Sequence, residues 1–276
     1  MSSDRQETFS NGDEIMIINI ENNKFKELIE SVALKGKYNS GDVTKNGQLS
    51  NYAHIRCDDE YVYAYNADST TICSARLMVR DVSLGDRGVG AAIIDIEKTV
   101  KYLKGFSGEV SLDFGDYLTI TAVQGTATGK VPLVNEHPHH AYINRAMSLT
   151  TEIRSENPSW GDGLPIFGKT QYEAEIIIPE EEISRAGDGC DVVNIARYKF
   201  DYDDDVLTIS SSKTITEAYS TEIEYTMAEG DSATVEFNGQ FAKFLNGVVR
   251  LYLKDDAPIL FVTPHRLLLK APYLNR

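Results

Sequence analysis

Cysteine is scarce in this chain. Cys57, Cys73 and Cys190 are odd in number, far apart and form no CxxC pair. That excludes a secreted disulfide framework and a cysteine-built zinc site, and each thiol is expected as a small core residue in a reducing compartment. No apolar run approaches the ~20 residues of a membrane span. Met1 to Asn11 is polar and carries no apolar targeting segment. The expected location is therefore the cytoplasm, or the nucleus if the host is a eukaryote. Positive charge is also in short supply: 27 Lys and Arg face 42 Asp and Glu, a formal net charge of -15. Such a surface repels polyanions and anionic membranes on average, so no membrane partner is expected, but a local basic strip is compatible with it.

Catalytic motifs are missing too. There is no nucleophile elbow, phosphate loop or zinc-spaced ligand set. Gly88-Val89-Gly90 has Ile93 where a dinucleotide fingerprint needs its third glycine. Asp201 to Asp205 imitates a calcium loop, but Val206 stands where glycine is required and Ser212 where glutamate is required, so a hairpin turn is expected. In the segment Glu136 to His140, His137 and His139 sit too close on a proline-bearing stretch to share a helical face, which reads as a solvated linker. No catalytic residue, metal or cofactor is assigned.

What the chain does have is a dense rhythm of short β-strands. Residues 1–13 read as a polar tail. Ile15 to Ile20 reads as a strand, and Asn22 or Asn23 can cap a helix whose apolar residues are Phe25, Leu28, Ile29 and Val32. Strands at 52–57, 61–65 and 72–79 are separated by acidic turns, the signature of an antiparallel sheet. A short helix at 96–104 leads into strands at 110–114, 118–123 and 129–134. Residues 135–168 read as an interdomain linker with an insertion, including a short helix near 141–153. Then come a strand at 172–178, a helix from Pro179 to Ala186, and strands at 192–202, 206–211 and 218–227.

Self-similarity is the most informative feature. Lys101-Tyr102-Leu103-Lys104-Gly105-Phe106 is echoed by Lys243-Phe244-Leu245-Asn246-Gly247-Val248. Each reads as the end of a short helix, followed by an alternating strand (Val110, Leu112, Phe114; Val249, Leu251, Leu253), an acidic turn and an apolar return strand. The fold class is therefore α+β, with two similar units at 14–134 and 169–276.

The order of three stretches resembles the DNA sliding clamps of the proliferating cell nuclear antigen family, as a divergent archaeal or viral-type member. They are Asp95 to Lys104 with Val110-Ser111-Leu112; Leu164-Pro165-Ile166 with Tyr172 to Pro179; and Val249 to Ile259 with the closing Leu268-Leu269-Lys270-Ala271-Pro272. The resemblance implies a non-enzymatic processivity factor. Three subunits would close head-to-tail into a ring around double-stranded DNA, with antiparallel sheets outside and short helices lining the hole. The ring would meet a clamp loader and tether DNA polymerase and other clamp-binding enzymes.

Helix lysines then become candidate phosphate contacts without sequence specificity: Lys24, Lys26 and Lys35 near the first helix, and Lys98, Lys101 and Lys104 on the second. Arg185 and Lys243 are the sparse equivalents in the second half, where Glu180, Glu181 and Glu182 dominate. By position in the family, Leu164, Ile166, Pro258, Ile259, Leu269, Ala271 and Pro272 would line a pocket for client peptides, with Ala67 where relatives carry a larger apolar residue. Two alternatives stay open: a monomeric processivity or interaction module with the same domains, and a β-rich hydrolase using the histidine-rich segment.

Overall fold

The computed structural model describes residues 16–34, 51–58, 60–79, 81–84, 90–154, 164–167, 170–193 and 197–273. Lys35 and the polar loop at 39–50 lie outside the described residues. The first half runs β1 (Met16–Glu21), α1 (Asn22–Ser31), β2 (Tyr52–Cys57), β3 (Tyr61–Ala67), β4 (Thr71–Met78), β5 (Asp81–Leu84), β6 (Gly90–Asp95), α2 (Ile96–Leu103), β7 (Glu109–Phe114), β8 (Tyr117–Ala122) and β9 (Thr128–Pro132). Helix α3 (His140–Arg154) and the small hairpin of β10 (Ile166–Phe167) and β11 (Thr170–Gln171) follow. The second half runs β12 (Ala174–Ile178), α4 (Glu180–Asp191), β13 (Arg197–Asp203), β14 (Val206–Ser212), β15 (Ala218–Ile223), β16 (Met227–Gly230) and β17 (Ala233–Asn238). A 3-10 turn at Ala242–Phe244 leads into β18 (Val249–Leu253), β19 (Ile259–Val262) and β20 (Arg266–Lys270).

The halves match element for element. The strand order β5-β1-β7-β8-β9 of the first recurs as β16-β12-β18-β19-β20, and β4-β3-β2-β6 recurs as β15-β14-β13-β17. Within the chain, β20 pairs antiparallel with β4, from Arg266 opposite Ala75 to Lys270 opposite Thr71, which fuses two of these sheets into one of nine strands. The fold is thus α+β with antiparallel sheets and short helices.

Alternation explains most strands. Met16, Ile18 and Ile20 point into the core, and β6 and β12 alternate in the same way. The centre of the nine-stranded sheet departs from it. All four residues of β19 and Leu267, Leu268 and Leu269 of β20 are buried, because this region is covered on both faces. Ile259, Phe261 and Leu268 join the main core with α1, α2 and α4, whereas Leu260, Val262, Leu267 and Leu269 join a second cluster on the opposite face.

Several local expectations change. Asn22 does not cap α1; Glu21 occupies that position without a side-chain bond. The Asn22 amide instead donates to the carbonyls of Leu103 (3.0 Å) and Phe106 (2.7 Å), tying α1 to the end of α2. Asp95 caps α2, its Oδ1 accepting from the Lys98 backbone N–H at 2.9 Å. The expected second helix of the second half is only one 3-10 turn. Gly239 precedes it at φ 86 and no side chain caps it. What fixes this turn is Phe241, whose ring packs edge-on to Tyr198 (5.0 Å) and Phe200 (5.3 Å) and stacks on Phe261 (5.7 Å). Helix α4 runs past Ala186 through two glycines to Asp191, since at Gly187 a Cβ would lie 2.6 Å from Ala242 of that turn.

Gly230 ends β16 at φ 104, and a Cβ there would stand 2.0 Å from the Glu173 carbonyl oxygen of β12. Backbone cannot yield as a side chain can. Gly230→Ala is expected to lower the urea midpoint by an amount equivalent to about 2–3 kcal/mol. Gly115→Ala, where the nearest atom is 3.7 Å away, is the near-neutral control.

Candidate functional site

Two surfaces carry the residues singled out by the sequence. On the first, α1 and α2 lie side by side. Phe25, Leu28 and Ile29 of α1 and Ile96, Val100 and Leu103 of α2 enter the main core. Their outward faces present Lys24, Lys98, Lys101 and Lys104, all exposed, and Lys26, half-buried. Lys101 meets Glu97 one turn earlier at 3.5 Å, an exposed pair of small energetic weight. Lys130 of the neighbouring β9 is exposed too, but it does not extend this surface: Gly129 and Val131 on either side of it face α2 and the core, so alternation turns Lys130 to the opposite face of the sheet.

The matching surface of the second half has the opposite sign. Glu180, Glu181 and Asp188 of α4 are exposed. Arg185 is bound to Glu182 on its own helix and donates to Thr221 Oγ1 at 3.3 Å. Lys243 stands at the rim of a cavity of ≈ 260 Å³ lined also by Asp188, Asp191 and Tyr198. Its ammonium lies 4.8 Å from the Phe244 ring, and partial burial holds its pKa below the usual lysine value despite the nearby Cys73 and Asp191. These two residues face carboxylates rather than extending the basic strip.

The second surface is the apolar cluster on the other face of the nine-stranded sheet, at the joint between the halves. Tyr65 and Ala67 of β3, Ile72 of β4, Leu260 of β19 and Leu267 and Leu269 of β20 form it together with Tyr172 and Tyr252. The Tyr172 hydroxyl donates to the Pro258 carbonyl at 2.8 Å. Leu164 packs on the cluster and Leu269 belongs to it, while Ile166 is exposed. Ala271 is held by its N–H on the Thr70 carbonyl (2.8 Å), and Pro272 bridges to Phe237. Ile259 requires a correction. It faces the main core, and its neighbour Leu260 takes the groove-facing position, a one-residue shift that alternation imposes. Residue 67 is alanine, wholly buried.

Helix α3 covers this cluster with Ile143, Ala146 and Leu149. His137 leads into it and is buried, not solvated as the sequence had implied. Its Nε2 lies 3.2 Å from the Tyr52 carbonyl and 3.1 Å from Asn66 Oδ1, while Nδ1 accepts the His139 N–H at 3.1 Å. Two acceptors at Nε2 and a donor at Nδ1 assign the neutral Nε2–H tautomer. Burial pushes its pKa down to about 4, against the opposing pull of the Tyr52 carbonyl. His54 is pushed down to about 4 by burial, with His137 and Arg56 adding to it. Among the described residues no group of three or more His, Cys, Asp or Glu side chains could hold a metal ion.

Solved structures share this architecture. The DNA polymerase III beta chain of Streptococcus pneumoniae aligns with a TM-score of 0.66 over 98% of this chain and 67% of its own, at 13% identity. The A. fulgidus PCNA bound to the C-terminal region of FEN-1 aligns with a TM-score of 0.64 over 95% of this chain and 99% of its own, at 13% identity. PCNA of Thermococcus kodakaraensis gives 0.60 over 94% and 100%, again at 13% identity. The chain has the sliding-clamp fold. No family model matches the sequence, and no curated protein is significantly similar to it. The chain spans about two thirds of the bacterial beta chain and essentially the full length of archaeal PCNA.

The lowered histidine pKa makes the clamp fold acid-sensitive. Above about pH 6.5 His137 is neutral folded or unfolded, and stability is full. As pH falls towards 4 the unfolded chain takes up a proton that the folded imidazole resists, so stability is lost. The urea-unfolding free energy is expected to drop by about 2 kcal/mol from this group between pH 7.5 and 5. His137→Gln should be less stable at pH 7.5 and show a shallower acid decline. An unchanged decline would locate the titration elsewhere.

Proposed function

We propose that this chain is a subunit of a ring-shaped, non-enzymatic clamp that encircles double-stranded DNA and tethers replication enzymes to it. The observation that carries the reading is the duplicated edge. In the chain, β20 pairs with β4. Their equivalents β9 and β15 are the outer strands of their own sheets among the described residues. A second copy can therefore repeat the internal joint, β9 of one subunit against β15 of the next. Such a contact is heterologous, and a closed ring pairs every β9 edge with a β15 edge.

The register of that joint follows from the equivalence. Gly129, opposite Ile120, corresponds to Leu268, opposite Phe261. Tyr219, opposite Ser211, corresponds to Cys73, opposite Asn66. Leu268 pairs with Cys73, so Gly129 should pair with Tyr219 of the partner subunit and Thr128 with Ser220 of the partner subunit. Charge favours the same arrangement: α2 with its lysines flanks β9, and α4 with its glutamates flanks β15. Three copies are the number the family resemblance implies.

Within the ring, Lys24, Lys26, Lys98, Lys101 and Lys104 meet phosphates without reading bases, leaving DNA contact to the first half of each subunit. The apolar cluster at the joint is the docking place for clamp-binding enzymes. The FEN-1 segment held by A. fulgidus PCNA is one such client in a structural neighbour.

Oxidation of a Thr128→Cys/Ser220→Cys chain should give disulfide-linked oligomers, since the three native cysteines are buried. The uncrosslinked wild type should sediment near three times 30.7 kDa at high concentration. A monomer at every concentration, with no crosslink, would leave the monomeric-module alternative. Reversing Lys98, Lys101 and Lys104 to glutamate should weaken DNA association and make the slope of log affinity against log salt shallower by roughly 0.9 per lost phosphate contact. Wild-type salt dependence in that variant would remove the lysines from the interface.

A further inference from the structure

A groove awaiting a peptide exposes its apolar lining; this one does not. Ala67 is 0%, Ile72 5%, Leu260 0% and Leu269 5% exposed. Among the described residues the cover is α3 together with Leu164. We infer that α3 is an intramolecular ligand of the joint groove, and that a client enzyme's peptide reaches the groove by displacing it. This rests on the client-docking reading above and adds its regulation.

Three features make α3 a detachable cover rather than a structural layer. Its contact is one-sided: Ile143, Ala146, Met147, Leu149, Thr150 and Ile153 meet only one face of the sheet, chiefly β3 and β4. It contributes no strand and no sheet hydrogen bond, so lifting it leaves the nine-stranded ladder intact. Among its polar ties to the sheet are two side-chain contacts, Thr150 Oγ1 with Ser74 Oγ at 3.2 Å and the Arg56 guanidinium with Met147 Sδ at 3.8 Å. A helix of 15 residues is marginal on its own in water, so a displaced α3 would unravel. Release is then local unfolding, which costs less than opening the core. The buried His137 ring holds one end of the segment, so α3 stays tethered and competes at high effective concentration.

The competition has a readable consequence. A client peptide binds the closed chain more weakly than an opened one, by the fraction of time that the groove is free. A fluorescent synthetic peptide of residues 137–154 tests it directly. Added to full-length Ile143→Ser/Leu149→Ser, in which α3 is loosened but the groove lining is intact, it should bind at least tenfold more tightly than to wild type. An unlabelled peptide with the FEN-1 C-terminal sequence should then displace it. Equal binding to both chains, or to neither, overturns the inference. Capture without displacement upholds α3 as the groove's exchangeable ligand and counts instead against client docking there.

Hydrogen exchange on the unmodified chain provides a second arm, independent of how the variant folds. The α3 amides should exchange at least tenfold faster than those of β19 and β20. Equal protection would mean that α3 opens only with the whole fold, and the inference would fail.

Discussion

The antiparallel pairing of β20 with β4 is the constraint from which the rest of the molecule follows. It turns two separate sandwiches into one body, because a strand from each becomes an interior member of a nine-stranded sheet. Its residues show the consequence: Leu267, Leu268 and Leu269 are buried alternately on two opposite faces. At its end Lys270 is almost wholly buried where the first half places Val131. Its ammonium donates to Thr71 Oγ1 at 3.0 Å, and burial brings its pKa down to about 8 although nearby Asp68 favours the charge. An apolar core position has thus become a polar tie across the joint.

Duplication fixes the framework and leaves the surfaces free. Core-facing positions must alternate in both halves or the sandwiches cannot close, so eleven elements recur in order. Nothing similar constrains the outward helix faces. The first half carries a capped eight-residue α2 with lysines; its counterpart is a three-residue turn pinned by phenylalanines, beside an acidic α4. The polarity of the proposed ring, basic edge against acidic edge, comes from this divergence.

The two-faced burial of the central sheet links the joint to the proposed docking groove. Once β3, β4, β19 and β20 lie side by side, their second face is a broad apolar surface, and water contact there costs roughly 25 cal/mol per Å². Something must cover it. In this chain α3 does so, which makes the connector between the halves part of the packed structure rather than a bare spacer.

Much of this was written in the sequence at short range. The alternation of β1 and β12, the apolar spacing of α1 and α2 and the echo of Lys101–Phe106 in Lys243–Val248 report local burial and local turns, which period and capping residues encode directly. What the sequence could not report were relations between distant segments. That Asn22 bridges to the end of α2, that His137 is buried between Tyr52 and Asn66, and that Ile259 and Leu260 face opposite ways all depend on which segment lies beside which. By itself the chain's pattern determined a repeated, antiparallel, helix-decorated unit, because hydrophobic periodicity acts within each element. Only tertiary structure decided how the two units join and what covers the joint, because those choices are made by faces whose partners lie far apart in the chain.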